Sequence, residues 1–215
     1  MTTSQTTELR SRCDLLRSLH RPGDPLLLPN AWDVATARAV VAAGFPVVAT
    51  TSGGVAATLG YEDHEGAPAD EMLAAAARIA KGVEVPVTVD AEAGYGMERA
   101  ELVAALRTAG AAGCNLEDTD HAAGSLRDPD PHADWLAAVR LAASEDGYRL
   151  VINARVDVFL GPFFTAPTPG PRRSSFPKRC NVRMPTSRPA PTVSTRSRYG
   201  RRTRCGTSRR RSAAL

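Results

Sequence analysis

Apolar positions in residues 1–160 switch between helical spacing and short unbroken runs. Leu9, Cys13, Leu16 and Leu19 share one helical face and predict an N-terminal helix. Leu26-Leu27-Leu28, stopped by Pro29-Asn30, predicts a first strand. Val34, Ala37, Val40 and Val41 then fall on one face of a helix that Asp33 can cap and Gly44 can end. Val47-Val48-Ala49-Thr50 predicts a second strand, closed by Ser52-Gly53-Gly54. Residues 70–81 predict a helix with Met72, Leu73, Ala76 and Ile79 inward, followed by a strand at Val87-Thr88-Val89-Asp90. Glu98 to Ala109 predicts a helix with Leu102, Val103 and Leu106 inward, then a strand at Cys114-Asn115-Leu116-Glu117. Residues 132–144 predict a helix around Trp135, Leu136, Val139 and Leu141, and Leu150 to Arg155 a fifth strand.

Alternating β and α with short apolar strands implies a parallel sheet covered by helices. A doubly wound open sheet and a (β/α)8 barrel both fit. Polar residues follow nearly every strand: Asn30 and Asp33, Thr51 and Ser52, Asp90 and Glu92, Glu117 and Asp118, Arg155 and Asp157. In a barrel those ends meet at one mouth, where active sites lie. No GxGxxG follows the first strand, which argues against a dinucleotide-binding open sheet. The expected fold is therefore an α/β (β/α)8 barrel of which about five βα units are readable.

Charge then divides the chain. Residues 1–160 carry 13 basic and 23 acidic side chains, and residues 161–215 carry 14 basic and none acidic. The overall charge of +4 thus describes neither part. The last 55 residues hold 13 Arg, 8 Pro, 14 Ser or Thr and only six Leu, Ile, Val or Phe, too few for a core. The division expected is residues 1–160 as the barrel part and residues 161–215 as a disordered tail, read as a frameshift product of GC-rich codons. Thirteen arginines could bind phosphates, but the tail lacks the interleaved aromatics of a nucleic-acid stacking surface. No run of 18 apolar residues predicts a membrane span. The start has no apolar signal-peptide core, and Cys13, Cys114, Cys180 and Cys205 form no pairing pattern. Reduced thiols in a cytoplasm are the expectation.

The chemistry concentrates at the strand ends. Asp90 and Glu92, two apart, are expected on one face, with Glu117 ending the adjacent strand about 4.8 Å away. Three carboxylates so close repel unless a cation joins them. A hard divalent ion suits all-oxygen donors; capping or surface pairing of these acids is the competing reading. Gly94-Tyr95-Gly96 after Glu92 would let backbone approach a ligand. Arg155, with Asn153 and Asp157 on its face, could fork a substrate carboxylate or pair with Asp157. His64 and His121 are expected to be solvent-exposed loop residues, and Trp135 a packing residue.

Together these segments resemble the isocitrate lyase/phosphoenolpyruvate mutase superfamily, in its carboxyvinyl-carboxyphosphonate phosphorylmutase-like or methylisocitrate lyase-like branch. The matching pieces are Pro29-Asn30-Ala31-Trp32-Asp33, Thr51-Ser52-Gly53-Gly54-Val55, Leu59-Gly60-Tyr61-Glu62-Asp63, Val89 to Gly96, Asn115-Leu116-Glu117-Asp118 and Ile152-Asn153-Ala154-Arg155. The resemblance implies a (β/α)8 barrel that uses Mg²⁺ on 2-oxo acids or their enolates and makes or breaks a C–C or C–P bond. It implies Asp90, Glu92 and Glu117 as metal-site carboxylates. Thr51, Ser52 and Gly53, with Asp90, are implied as substrate-carboxylate binders, Asp63 as the acid near substrate and metal water, and Arg155 as the clamp.

The loop after Glu117 departs from that pattern. Thr119 to Pro129 contains neither the Lys and Cys of isocitrate lyases nor the Lys and Asn of phosphoenolpyruvate mutases. The resemblance also implies a small carboxylate substrate and a homotetramer.

Overall fold

The structure is a computed structural model and describes residues 3–160. Helix α1 (Thr3–Leu19) comes first, then β1 (Asn30–Ala31), α2 (Val34–Ala42), β2 (Val48–Thr50), α3 (Ser52–Leu59), α4 (Ala69–Gly82) and β3 (Val87–Asp90). Helix α5 (Arg99–Ala109), β4 (Gly113–Glu117), the two-residue strands β5 (Thr119–Asp120) and β6 (Ser125–Leu126), α6 (Pro129–Glu145) and β7 (Val151–Arg155) follow. A 3₁₀ turn occupies Asp157–Leu160.

Five strands form one sheet in the order β1-β2-β3-β4-β7, every neighbouring pair parallel. A doubly wound sheet must reverse its strand order at a switch point. Here each new strand is added on the same side, as in a barrel wall. β5 and β6 form a separate antiparallel hairpin. Register Glu117↔Arg155 sets those two side chains level, and register Asp90↔Asn115 places Asp90 one step of the same strand face before them, all at the C-terminal strand ends.

Helices cover the sheet through apolar stripes. α4 buries Met72, Leu73, Ala76 and Ile79, and α5 buries Leu102, Val103 and Leu106. α1 buries Leu9, Cys13 and Leu16. Leu16, Ile79, Leu102, Leu106, Leu116 and Leu150 are wholly enclosed, each contributing about 1.5–3 kcal/mol from burial. Gly113 permits a close approach: a Cβ there would lie 2.7 Å from Leu16 Cδ2 and 2.8 Å from the Val151 carbonyl oxygen. Asp33 caps α2 as expected, accepting from the Thr36 amide at 2.7 Å in a reciprocal capping box.

Three local expectations fail. Leu26-Leu27-Leu28 is not a strand; pairing begins at Asn30, and Leu27 is 72% exposed. Pro25 and Pro29 bracket that run, and proline has no N–H to give a ladder. Ser52-Gly53-Gly54 is not a closing turn but the start of α3, which ends at left-handed Gly60. Leu141 is 59% exposed; α6 buries Val139 as expected, together with His132 and Ala143. The tail expected over residues 161–215 lies outside the described residues.

Candidate active site

Asp90 ends β3 with its backbone N–H donating to Thr50 Oγ1 at 2.8 Å. Its Oδ2 accepts from the Ser52 amide at 3.2 Å, in the first turn of α3. Thr51 is the N-cap of that helix and its hydroxyl makes no capping bond. Gly53 is hemmed in by Asp63, whose Oδ2 would lie 2.6 Å from a Cβ. Thr51, Ser52, Gly53, Asp63 and Asp90 therefore share one neighbourhood.

Glu92 arrives differently from the sequence expectation. β3 stops at Asp90, and Glu92 has a left-handed φ of 47°, so period-two alternation does not place it. Its buried carboxylate accepts from the Glu65 amide at 2.5 Å. Glu65 in turn accepts from the Tyr95 amide at 2.6 Å. The only left-handed non-glycine residues among those described are His64, Glu65, Glu92 and Tyr95. Such conformations cost energy and persist where surrounding structure imposes them; here all four lie in two loops that hold each other. Gly94 is required by its backbone and by packing: its φ is 93° and a Cβ would meet the Trp135 ring at 2.9 Å. Trp135 itself stacks on His132 with centroids 5.8 Å apart and lies under Arg127.

Glu117 ends β4, only 1% exposed. Arg155, its register partner, places Nη2 against Glu117 Oε2 and Nη1 3.5 Å from Asp90 Oδ1. The guanidinium also forks Asp157, Nε to Oδ1 at 2.7 Å and Nη2 to Oδ2 at 2.9 Å. Asp157 is anchored in turn by the Thr119 hydroxyl at 2.7 Å, and its own amide donates to Asp118 at 2.8 Å. On the far side His121 Nε2 lies 2.7 Å from Glu117 Oε1 and 4.0 Å from Glu92 Oε2.

Burial dominates the electrostatics. It pushes Glu117 up to about 8 despite Arg155, and Glu92 up to about 7 despite the Glu65 amide, with nearby acids adding to both. Burial also pulls His121 down. Burial opposes the Arg155 charge, but the Asp157 hydrogen bonds and the Asp90 and Glu117 carboxylates outweigh it and raise its pKa.

The sequence-predicted acids thus converge on one mouth, yet they are not gathered into a single cation-holding cluster. Among the described residues no three His, Cys, Asp or Glu groups stand at metal-holding distance. Each carboxylate has taken a donor or cation from the chain: Ser52 and Arg155 at Asp90, Glu65 at Glu92, Arg155 and His121 at Glu117. Even so, Asp90 Oδ1, Glu117 Oε2 and Asp63 Oδ1 are buried and accept no directed hydrogen bond. Arg155 faces the first two as an ion pair only. Hard oxygens in that state are a donor set suited to Mg²⁺.

Sequence reasoning missed His121 and Glu65. His121 was expected in solvent; its side chain is 9% exposed and packs on His64 with centroids 5.3 Å apart. The β5–β6 hairpin folds it back over Glu117, and the only sequence signal was the Ala122-Ala123-Gly124 turn, with Gly124 at φ 62°. The hairpin also walls a cavity of about 450 Å³ lined by His64, His121, Leu126, Asp157 and Val158.

Known proteins share this arrangement of elements. Residues 16–174 match the family model described as phosphoenolpyruvate phosphomutase. A curated but uncharacterized protein of Mycobacterium tuberculosis is 40% identical over 144 residues, 66% of this chain and 52% of that protein. The chain therefore spans about half the length of the curated relative it matches. "Probable 2-methylisocitrate lyase 2" of Corynebacterium glutamicum is 39% identical over 93 residues, 42% of this chain and 30% of that protein. The crystal structure of a candidate phosphonomutase from Burkholderia cenocepacia superposes with a TM-score of 0.67 at 46% identity, over 70% of this chain and 62% of that one.

Proposed function

The chain belongs to the phosphoenolpyruvate phosphomutase family, and from that premise we propose that it is a Mg²⁺-dependent lyase or mutase. Its substrate would be a 2-oxo acid or another enolate-forming carboxylic acid, and a C–C or C–P bond would break or form. One observation carries the reading: two buried, incompletely satisfied carboxylate oxygens, on Asp90 and Glu117, face one arginine at the C-terminal ends of adjacent parallel strands. A phosphonopyruvate hydrolase of this fold, 20% identical with a TM-score of 0.55, was solved with oxalate and Mg²⁺.

Asp90, Glu92 and Glu117 would hold the Mg²⁺, which when bound supplies a Lewis acid for a substrate's carboxylate and 2-oxo oxygens. The chain's own groups do the rest. The first turn of α3 offers the Thr51 hydroxyl and the Ser52 and Gly53 amides to the substrate carboxylate, at the helix end that favours anions. Arg155, its planar guanidinium held in orientation by the fork on Asp157, presents its remaining N–H groups to negative charge that develops in the transition state. Asp63 stands beside Gly53 as a carboxylate near the reacting atoms. His121 and the hairpin cover Glu117 and exclude water, and the cavity lined by Leu126 and Val158 would take the substrate's remaining substituent.

The direct test measures 2-oxo acid release from oxaloacetate, 2-methylisocitrate and phosphonopyruvate, with Mg²⁺ and with EDTA. Mg²⁺-dependent release from at least one is expected; none above background would sink the reading. Arg155→Lys should lower kcat strongly, because lysine cannot fork. A second reading rests on the loss of every acid after Asp157: residues from about 161 onward are a frameshift product and the chain is inactive as written. Resequencing of the 3′ half decides it, an intact frame being the adverse result.

A further inference from the structure

The opposite end of the same sheet holds a second concentration of charge, of the other sign. A cavity of about 540 Å³ opens between α1, α6 and the turn before β7, lined by Arg10, Arg17, Arg140, Arg149 and Tyr148. Arg17 Nη2 donates to the Arg149 carbonyl at 3.1 Å and lies 3.4 Å from the Leu150 carbonyl. Arg140 Nη1 donates to that same Leu150 carbonyl. Two guanidiniums therefore converge on one oxygen. Burial, and then the Arg17 charge, lower the pKa of Arg140.

Counter-charge is scarce there. Asp14 is taken by Arg149 at 2.9 Å, and Asp146 by Arg107. Glu145, the other acid at that end of α6, does not line the cavity. The Arg10 side chain makes no hydrogen bond or ion pair among the described residues. The sequence after Asp157 supplies no Asp or Glu. Like charges held on one wall by backbone carbonyls are costly unless an anion joins them.

We propose that this cavity is a binding site for a small phosphorylated molecule, held through its phosphoryl oxygens by Arg10, Arg17 and Arg140. Guanidinium forks match phosphate oxygens in shape as well as in charge. The volume falls within the range of small-molecule pockets, about 300–1,000 Å³. A concave wall suits a compact anion better than a nucleic-acid duplex. The site is separate from the carboxylate mouth: Leu150 immediately precedes β7 and Arg155 ends it, a separation of roughly 16 Å at about 3.3 Å per residue. It therefore stands or falls independently of the proposed reaction.

Isothermal titration of the full chain with pyrophosphate, at ionic strength held constant with KCl, tests it. Saturable binding with a Kd below about 1 mM is expected, with citrate weaker than pyrophosphate. Arg10→Gln should weaken pyrophosphate roughly tenfold, in line with loss of one charge-assisted contact, and should fold normally because the Arg10 side chain bonds to nothing described. Arg140→Lys, which keeps the charge but loses the fork, should weaken it as well, while Arg78→Gln on α4 should change nothing. No binding, equal loss of binding in Arg78→Gln, or unchanged binding in both Arg10→Gln and Arg140→Lys would overturn the proposal. The last result would assign the anion to the arginine-rich residues 161–215.

Discussion

The two ends of the parallel sheet carry opposite charge and solve the burial of charge in different ways. At the C-terminal ends, Asp90, Glu92 and Glu117 are nearly sealed from solvent, and one arginine is shared among Asp90, Glu117 and Asp157. At the N-terminal ends, Arg10, Arg17 and Arg149 remain exposed and only Arg140 is partly buried. Long arginine stems let their charges reach water, whereas a short carboxylate in a strand turn goes where the backbone takes it. The acidic end is therefore strained without a cation, and the basic end is merely unsatisfied.

That contrast predicts unequal costs. Arg155→Met leaves Asp90, Asp157 and, above about pH 8, the Glu117 carboxylate without their shared cation, and should destabilise the chain by about 3–5 kcal/mol, read from urea unfolding on the alkaline side of the Glu117 titration. A loss below about 1 kcal/mol would mean that the acids are already neutral or solvated. Mg²⁺ should stabilise the acidic end, by about 2.7 kcal/mol at a hundredfold excess over its Kd. Asp90→Asn should abolish that gain in a thermal melt, and a gain surviving in the variant would place the ion elsewhere.

Proton linkage sharpens the comparison further. Glu92 and Glu117 titrate higher in the folded chain than in the unfolded one, at about 7 and about 8 against an ordinary 4.5. The folded state then binds more protons than the unfolded state between those values. Stability without divalent cations should be fully present below pH 4.5 as far as these two groups are concerned, and be lost as pH rises toward 8. Urea midpoints at pH 5 and pH 8 check this, and Glu117→Gln should flatten the slope. At the basic end, Arg140→Met removes one hydrogen bond to the Leu150 carbonyl but also one repulsion from Arg17. Its net cost should be about 1 kcal/mol or less. A cost matching that of Arg155→Met would erase the distinction between the two ends.

Hydrophobic spacing was enough to read α1, α2, α4, α5, α6 and four of the sheet's strands: α1, α4 and α5 bury an apolar stripe, β2 and β3 are fully buried runs and β4 nearly so, whereas α2, which buries only Ala37, and β7, which is half-buried to exposed, were readable from apolar residue type and spacing alone. The polar strand ends were legible for the same reason: a residue that ends an apolar strand must lie at the sheet's rim. Asp90, Glu117 and Arg155 needed nothing more to be brought together. What a pattern in sequence could not carry was a contact made through a turn. Glu92 reaches the mouth by a left-handed residue, and Glu65 by two. His121 does so through a hairpin whose strands are only two residues long. Ser52-Gly53-Gly54 looked like a loop because glycine disfavours helix, yet α3 forms there and buries Val55 and Ala56.

The family resemblance, the parallel α/β order and the acidic character of the strand ends were thus determined by sequence alone, since they depend on residue type and spacing along the chain. Which donor each carboxylate takes, and the gathering of arginines at the sheet's other end, were decided only by tertiary structure. Those depend on distances of a few ångströms between residues as far apart as Arg17 and Leu150, which no local period encodes.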